Sequence, residues 1–334
     1  MYKFLPLRAR LLYATARNTF STQNKHMLPY IASQGDIELL QYLIDHGINV
    51  NTANHWGNTA LHVASNRGNT PMVKLLLDNN ASPNPQDINS NTPLHLATSN
   101  GHVDIIRLLL NHGSDVNLPS GVNETALEIA WTRYSENPEQ YFEIIRLLVT
   151  HIVKIECANL VDTTSSGFLQ NKELISESEL LKGLEQQCHK EIEEMKSISV
   201  GKNVSSFFDI FVLQKNMNIL ARCANNPDIV KCQNRFLMYS SCIEKSIEKG
   251  KARAKLLQGA AESMDEIFES NQDTNQENQT SWSHLPPEVR VMILENLSNN
   301  DLTKLQHTDV AEAGEAGAEV EDEVGGAYAI YEEE

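Results

Sequence analysis

The chain is 334 residues long, 41% hydrophobic and 21% charged, enough to bury the cores of about two domains with ends to spare. A formal charge of −17 argues against a nucleic-acid partner, whose phosphates need a basic surface, and no apolar run is long enough to span a membrane. Five cysteines, an odd number in no zinc-like spacing, suit free thiols in a reducing compartment, and no metal or other cofactor is expected.

Residues 1–26 form a basic segment. The first 35 residues hold five Lys/Arg and no acid. Arg8, Arg10 and Arg17, with Leu11 and Leu12 between them, give Met1–Gln23 the profile of a mitochondrial presequence or of a basic amphipathic helix capping a repeat array. The arginines interrupt the apolar run, which argues against a secretory signal.

A 33-residue period begins next. Thr59-Ala60-Leu61-His62-Val63-Ala64, Thr92-Pro93-Leu94-His95-Leu96-Ala97 and Thr125-Ala126-Leu127-Glu128-Ile129-Ala130 start 33 residues apart. Gly35, Gly68 and Gly101 keep the same interval, as do Leu43, Leu76 and Leu109, and Asn51, Asn84 and Asn117. Leu94 and Ala97 give one side of a short helix, and Gly101 allows a left-handed turn. Ile105, Ile106, Leu108 and Leu109 then mark a second helix. A unit this small cannot bury its own face, so neighbours must stack.

The pattern resembles the ankyrin repeat. It gives four repeats over 27–158, the first degenerate and without the Thr-Pro-Leu-His start. In the fourth, six extra residues around Tyr134–Gln140 predict a loop projecting between its two helices. In ankyrin-like repeats the histidine of this motif orders the turn by hydrogen bonds. His62 and His95 are therefore read as structural rather than catalytic or metal-binding.

The stacked units offer a concave surface of loop tips and first helices. In the repeat register this face carries Trp56, Asn58, Asn66 and Arg67, then Asn89, Asn91, Ser99 and Asn100, then Val122, Glu124, Thr132 and Arg133. Trp and Arg carry much of the energy of protein interfaces, which makes Trp56 the anchor candidate for an unknown protein target. The alternative is that Trp56 packs on its neighbour's loop.

Residues 159–179 lose the period and read as a linker. Helical patterning returns over 180–304, with Leu180, Leu184, Cys188, Ile192 and Met195 on one face. An apolar stretch then runs from Phe207 to Leu220, Pro227 breaks it, and two further helices are expected at about 228–247 and 252–269. Over 282–304, Ser283 is placed to cap a helix with Pro286 and Pro287 in its first turn, and Leu285, Val289, Ile293 and Leu297 recur every four residues. Ser298 and Asp301 are placed to cap a second short helix.

Leu285-Pro286-x-Glu288-Val289, with Ile293-Leu294, Leu297 and Asp301-Leu302, resembles the start of an F-box. Cys188-x-x-Glu191-Ile192-x-x-Met195-Lys196 resembles the opening of the PRANC domain, which follows ankyrin repeats in many poxvirus proteins and occurs also in intracellular bacteria and parasitoid wasps. The expected fold is thus all-α: an ankyrin-repeat solenoid and a helical C-terminal domain with an F-box-like helix pair. The resemblance implies that Leu285, Pro286, Glu288, Val289, Ile293 and Leu297 engage the linker subunit of an SCF (cullin–RING) ubiquitin ligase, in the cytoplasm or nucleus of a host cell. The alternative is an ankyrin scaffold that sequesters a host signalling protein, its terminal helices serving only as a cap.

The acidic segment 305–334, with ten Asp/Glu and no Lys/Arg, is too poor in apolar residues to offset the entropy of ordering. No nucleotide loop, metal-protease motif or nucleophile elbow is present. Cys188 and His189 are adjacent and point apart on a helix. An enzyme is not expected.

Overall fold

Short apolar stripes between caps produce helices in pairs. The computed structural model describes residues 27–200, 205–232, 235–270 and 285–307. The pairs are α1 (Met27–Gln34) with α2 (Ile37–Asp45), α3 (Ala60–Arg67) with α4 (Thr70–Asp78), α5 (Pro93–Ser99) with α6 (Val103–Asn111), and α7 (Ala126–Tyr134) with α8 (Pro138–Cys157).

The first helices of repeats two to four share one cap. Thr59, Thr92 and Thr125 accept the N–H of the residue three positions on, while the side chains of His62, His95 and Glu128 reach back to the threonine N–H. Two otherwise unpaired donors are satisfied each time. Gly68 and Gly101 then turn the chain into the second helix at φ 75° and 74°, where a Cβ is penalised. Leu61, Ala64, Met72 and Leu76, their equivalents Leu94, Ala97, Ile105 and Leu109, and then Leu127, Ala130, Ile144 and Leu148 fill the core between repeats.

The fourth repeat differs from expectation. Its extra residues do not project as a loop, because α7 runs on to Tyr134 and α8 starts early at Pro138. Asn137 caps α8 through its side chain, accepting the Gln140 N–H at 3.4 Å, and Tyr141 is buried with its hydroxyl donating to the Ser99 carbonyl at 2.9 Å. The insertion has become helix because it had both a cap and an apolar anchor.

The stretch 159–179 is not a bare linker either. It contains α9 (Ser166–Glu177), which buries Gly167, Phe168, Asn171 and Ile175. Asn171 accepts from the Thr125 hydroxyl at 2.7 Å and donates to Asn117 Oδ1 at 2.9 Å. A Cβ on Gly167 would lie 1.7 Å from the Asn117 carbonyl oxygen, so α9 sits against the last repeat more closely than any other residue would allow. It closes a solenoid whose final unit would otherwise expose its apolar face.

α10 (Glu179–Ser197) follows, burying Leu181, Cys188, Ile192 and Met195 and leaving Leu180 exposed. The chain divides into two compact units between Ile192 and Glu193, inside this helix.

In the second unit, strands β1 (Ser199–Val200) and β2 (Ser205–Ser206) pair antiparallel with Ser199 opposite Ser206. A π-helical turn (Phe208–Val212), α11 (Met217–Cys223) and α12 (Pro227–Cys232) come next. Phe207 stacks on Phe211 with centroids 4.5 Å apart and meets Phe236 at 5.7 Å, an aromatic core in a unit where Phe208 and Tyr239 are buried too. The two helices expected after Pro227 are arranged otherwise. α13 (Ser240–Ser270) is one helix of 31 residues that runs through Gly250 without a break. A Cβ at Gly250 would stand 2.6 Å from the Leu220 carbonyl, so this glycine serves the α11–α13 crossing. α14 (Pro287–Leu294) and α15 (Asn299–His307) complete the unit.

The basic segment 1–26 and residues 308–334 of the acidic segment lie outside the described residues. No described helix is long and apolar enough to cross a membrane.

Candidate partner-binding surfaces

The loop tips of the array are built from backbone. Asn54 and Asp87 each fold a tip by accepting two N–H groups on a side-chain oxygen, from Trp56 and Asn58 and from Asn89 and Asn91, an Asx turn in each case. Successive tips are bonded to one another: the Ile88 N–H donates to the Trp56 carbonyl at 3.0 Å, and the Gly121 N–H to the Asn89 carbonyl at 2.7 Å. The approach needs Gly57 and Gly121, where a Cβ would meet neighbouring backbone at 2.9 and 2.6 Å.

His62 strengthens the same ladder, and His95 closes the corresponding cap in the next repeat. His62 Nδ1 accepts the Thr59 N–H at 3.1 Å, and its Nε2 donates to the Asn91 carbonyl of the next repeat at 3.0 Å. Burial pushes the His62 imidazole below its ordinary pKa, against the pull of the Asn91 carbonyl and of Asp87. His95 is likewise lowered by burial, with the Leu118 and Glu124 carbonyls opposing. Both rings are therefore neutral at pH 7, as an accepting Nδ1 requires.

Trp56 is 53% exposed and lies against the His55 ring with centroids 3.4 Å apart. It is not buried on its neighbour's loop. Ile88 and Val122 on the next two tips are 66% and 76% exposed. Trp56, Ile88 and Val122 thus put large apolar groups on three tips joined by backbone bonds. Ile88 falls outside the register positions read from the sequence, although an isolated Ile between Asp87 and Asn89 was the signal that could have found it.

The polar residues assigned to this face divide in two. Asn66, Arg67, Asn89, Asn100, Glu124, Thr132 and Arg133 are exposed. Asn66 and Asn100 are bonded to each other at 3.0 Å, and Arg133 pairs with Glu136 at 3.0 Å. Asn58, Asn91 and Ser99 are half-buried. Asn91 directs its carbonyl to His62 and its amide to Asp87, so it holds the ladder together.

In the second unit, α14 begins on Pro286 as cap, with Pro287 as its first residue and no side-chain cap bond. The Ser283 cap expected from the sequence, with Trp282 and His284, lies outside the described residues. Ser298 does cap α15, its hydroxyl accepting the Asp301 N–H at 3.2 Å and donating to the Asp301 carboxylate at 2.5 Å, which holds that carboxyl below its ordinary pKa.

The deepest anchors of this pair are Leu294 and Leu302, buried with Ala221, Leu257, Ala260 and Met264. Leu285, Ile293 and Leu297 lean half-buried on the same cluster, Val289 is half-buried, and Pro286 and Met292 are exposed. Of Glu288 only the backbone is described. The turn between α14 and α15 is held by buried Arg253, whose guanidinium donates to Asn299 Oδ1 at 2.6 Å and to the Leu297 carbonyl at 2.7 Å.

A stacked array with apolar groups on its tips, followed by a helix pair partly turned to solvent, defines a protein-interaction chain. The ankyrin-repeat family matches three times, over residues 9–87, 26–120 and 83–159, and the PRANC domain matches 202–307. The chain belongs to the poxvirus-type proteins that join ankyrin repeats to this F-box-like domain. The PRANC match begins at residue 202, so Cys188–Lys196, whose pattern resembles the domain's opening, falls outside it.

The similar proteins include three ankyrin repeat proteins of Fowlpox virus (strain NVSL). One is 31% identical over 194 residues, 56% of this chain and 53% of the relative. Another is 32% identical over 136 residues, 40% and 19% of the two lengths, and a third 30% over 130 residues, 39% and 29%. The matched part of the chain thus spans about half of the first relative and less of the others.

Proposed function

We propose that the chain is an adaptor. Its ankyrin tips hold a protein target, and the pair α14–α15 brings that target to an SCF-type ubiquitin ligase in the cytoplasm or nucleus of a host cell. The reading is carried by the way this pair is divided. Leu294 and Leu302 fasten it to the domain's own core, while Pro286 and Met292 face outward with Val289 half-buried. A helix pair anchored on one side offers a fixed apolar strip to a partner, and the PRANC match over 202–307 makes the ligase's linker subunit the partner of choice. Catalysis would belong to the ligase.

The test is capture of the full chain by purified linker subunit, comparing wild type with a Pro286→Ala/Met292→Glu chain. Both substitutions sit at exposed positions, so the fold is retained. Binding weakened by about tenfold or more, a change of about 1.4 kcal/mol, supports the adaptor. No capture of folded wild type rejects it.

A second reading has its own support. Leu285, Ile293 and Leu297, which the F-box resemblance assigns to the ligase, lean on the chain's own core. In that case the pair is a cap and the chain a scaffold that sequesters a host protein on its tips.

A further inference from the structure

Three helices of the first unit bring a set of metal-ligating groups together. The last turn of α8 supplies Glu156 and Cys157, one face of α10 supplies Glu185 and His189 four residues apart, and α9 supplies Lys172. The donor atoms of Glu156, Glu185 and His189 lie within 4.8 Å of one another, and all three residues are half-buried. Cys157, also half-buried, places its Sγ 3.5 Å from His189 Nδ1 but stands outside that group of three, so its side chain must turn inward to join it. A tetrahedral zinc ion with one sulfur and one imidazole ligand holds those two atoms about 3.5 Å apart, given Zn–S near 2.3 Å and Zn–N near 2.0–2.1 Å.

The charge is also suited to a cation. Lys172 bridges the two carboxylates, lying 3.1 Å from Glu156 and in close contact with Glu185. One ammonium balances only half of that negative charge. We propose that Cys157, His189, Glu156 and Glu185 form a zinc site that fastens α8 to α10, with the ion replacing Lys172 as counter-charge. On binding, Cys157 gives up its thiol proton to solvent and ligates as thiolate, so one proton leaves for each ion bound. Lys172 swings out to water on its long stem. The ligands come from separated stretches of sequence, which is why no spacing motif announces them.

The experiment is titration of the purified, reduced full chain with Zn²⁺ and, for spectroscopy, Co²⁺. The expected result is one ion per chain with Kd at or below about 1 μM, and a Co²⁺ form showing tetrahedral d–d bands and a sulfur-to-cobalt charge-transfer band. Cys157→Ser should remove the charge-transfer band, and both it and His189→Gln should weaken binding by about tenfold or more. Lys172→Met, which removes the competing ammonium, should tighten it. All three positions are half-buried rather than core, and the helical content of each variant is checked beside wild type. Failure of folded wild type to bind overturns the proposal. So does a Cys157→Ser or His189→Gln chain that binds as wild type does, since the ion would then sit elsewhere.

Discussion

In the ankyrin array, Thr59, Thr92 and Thr125 perform one task three times, each closing a capping box with the residue three positions on. In the PRANC-matched unit the equivalent tasks fall to single residues. Arg253 gathers the Asn299 side chain and the Glu295 and Leu297 carbonyls, Asn218 shares the Glu295 carbonyl, and Gly250 lets α13 pass the Leu220 carbonyl. The difference teaches how damage should spread. A repeat array loses stability locally, by one nearest-neighbour unit at a time, whereas a unit tied by unrepeated side chains around one shared core should fail as a whole.

The sharpest way to break the array lies at its closed end. Gly167→Ala puts a Cβ on the Asn117 carbonyl and should cost about 3 kcal/mol, the upper range for overpacking. Hydrogen exchange should show α9 and the last repeat opening while α3–α6 keep their protection. Uniform loss across α3–α9 would contradict the local picture.

Arg253→Met should cost about 2–3 kcal/mol, since it strips a buried charged donor from several half-buried acceptors. Here exchange should rise throughout α11–α15 together. Thr92→Ala removes one repeated cap and should cost about 1 kcal/mol, read as a small shift in the denaturant midpoint with an unchanged slope.

The last expected effect is on pH, and it is shared with His151 in α8, whose pKa burial lowers to about 3. Burial lowers the pKa of His62 and His95 in the folded array, so the unfolded chain binds protons more readily below its ordinary value of 6.5. Their contribution is fully present above that pH and is lost as pH falls towards the folded values. The melting temperature of the array should therefore drop between pH 7 and 5. A His62→Gln/His95→Gln chain, in which Gln can still complete the capping box, should show a flatter profile.

The array was legible because its determinants are local and repeated. The helix starts at Met27, Ala60, Pro93 and Ala126 fall on the 33-residue register, and the Thr-x-x-His caps can be read from the letters. The repeat register placed Trp56 on a tip, where it is exposed. What escaped was tertiary. Nothing local says that Asn171 is needed by Thr125 and Asn117, so α9 read as linker. Two helices were expected where α13 is one, because the purpose of Gly250 is a carbonyl on another helix. Asn91 looked like a contact residue because its bond to His62 spans two repeats. Four of the six F-box-like residues, Leu285, Val289, Ile293 and Leu297, share a four-residue stripe, yet the deepest anchors, Leu294 and Leu302, lie beside that stripe, and only the packing distinguishes them.

The bonds that join the loop tips have a consequence for how such a protein can change. They run from backbone to backbone, Trp56 carbonyl to Ile88 N–H and Asn89 carbonyl to Gly121 N–H, and ask nothing of the side chains at Trp56, Ile88 or Val122. Those positions are free to drift while the scaffold beneath them stays the same. A lineage carrying many copies of such an array could retarget each by rewriting a handful of tip codons, with selection acting on recognition alone and little of it diverted to keeping the protein folded.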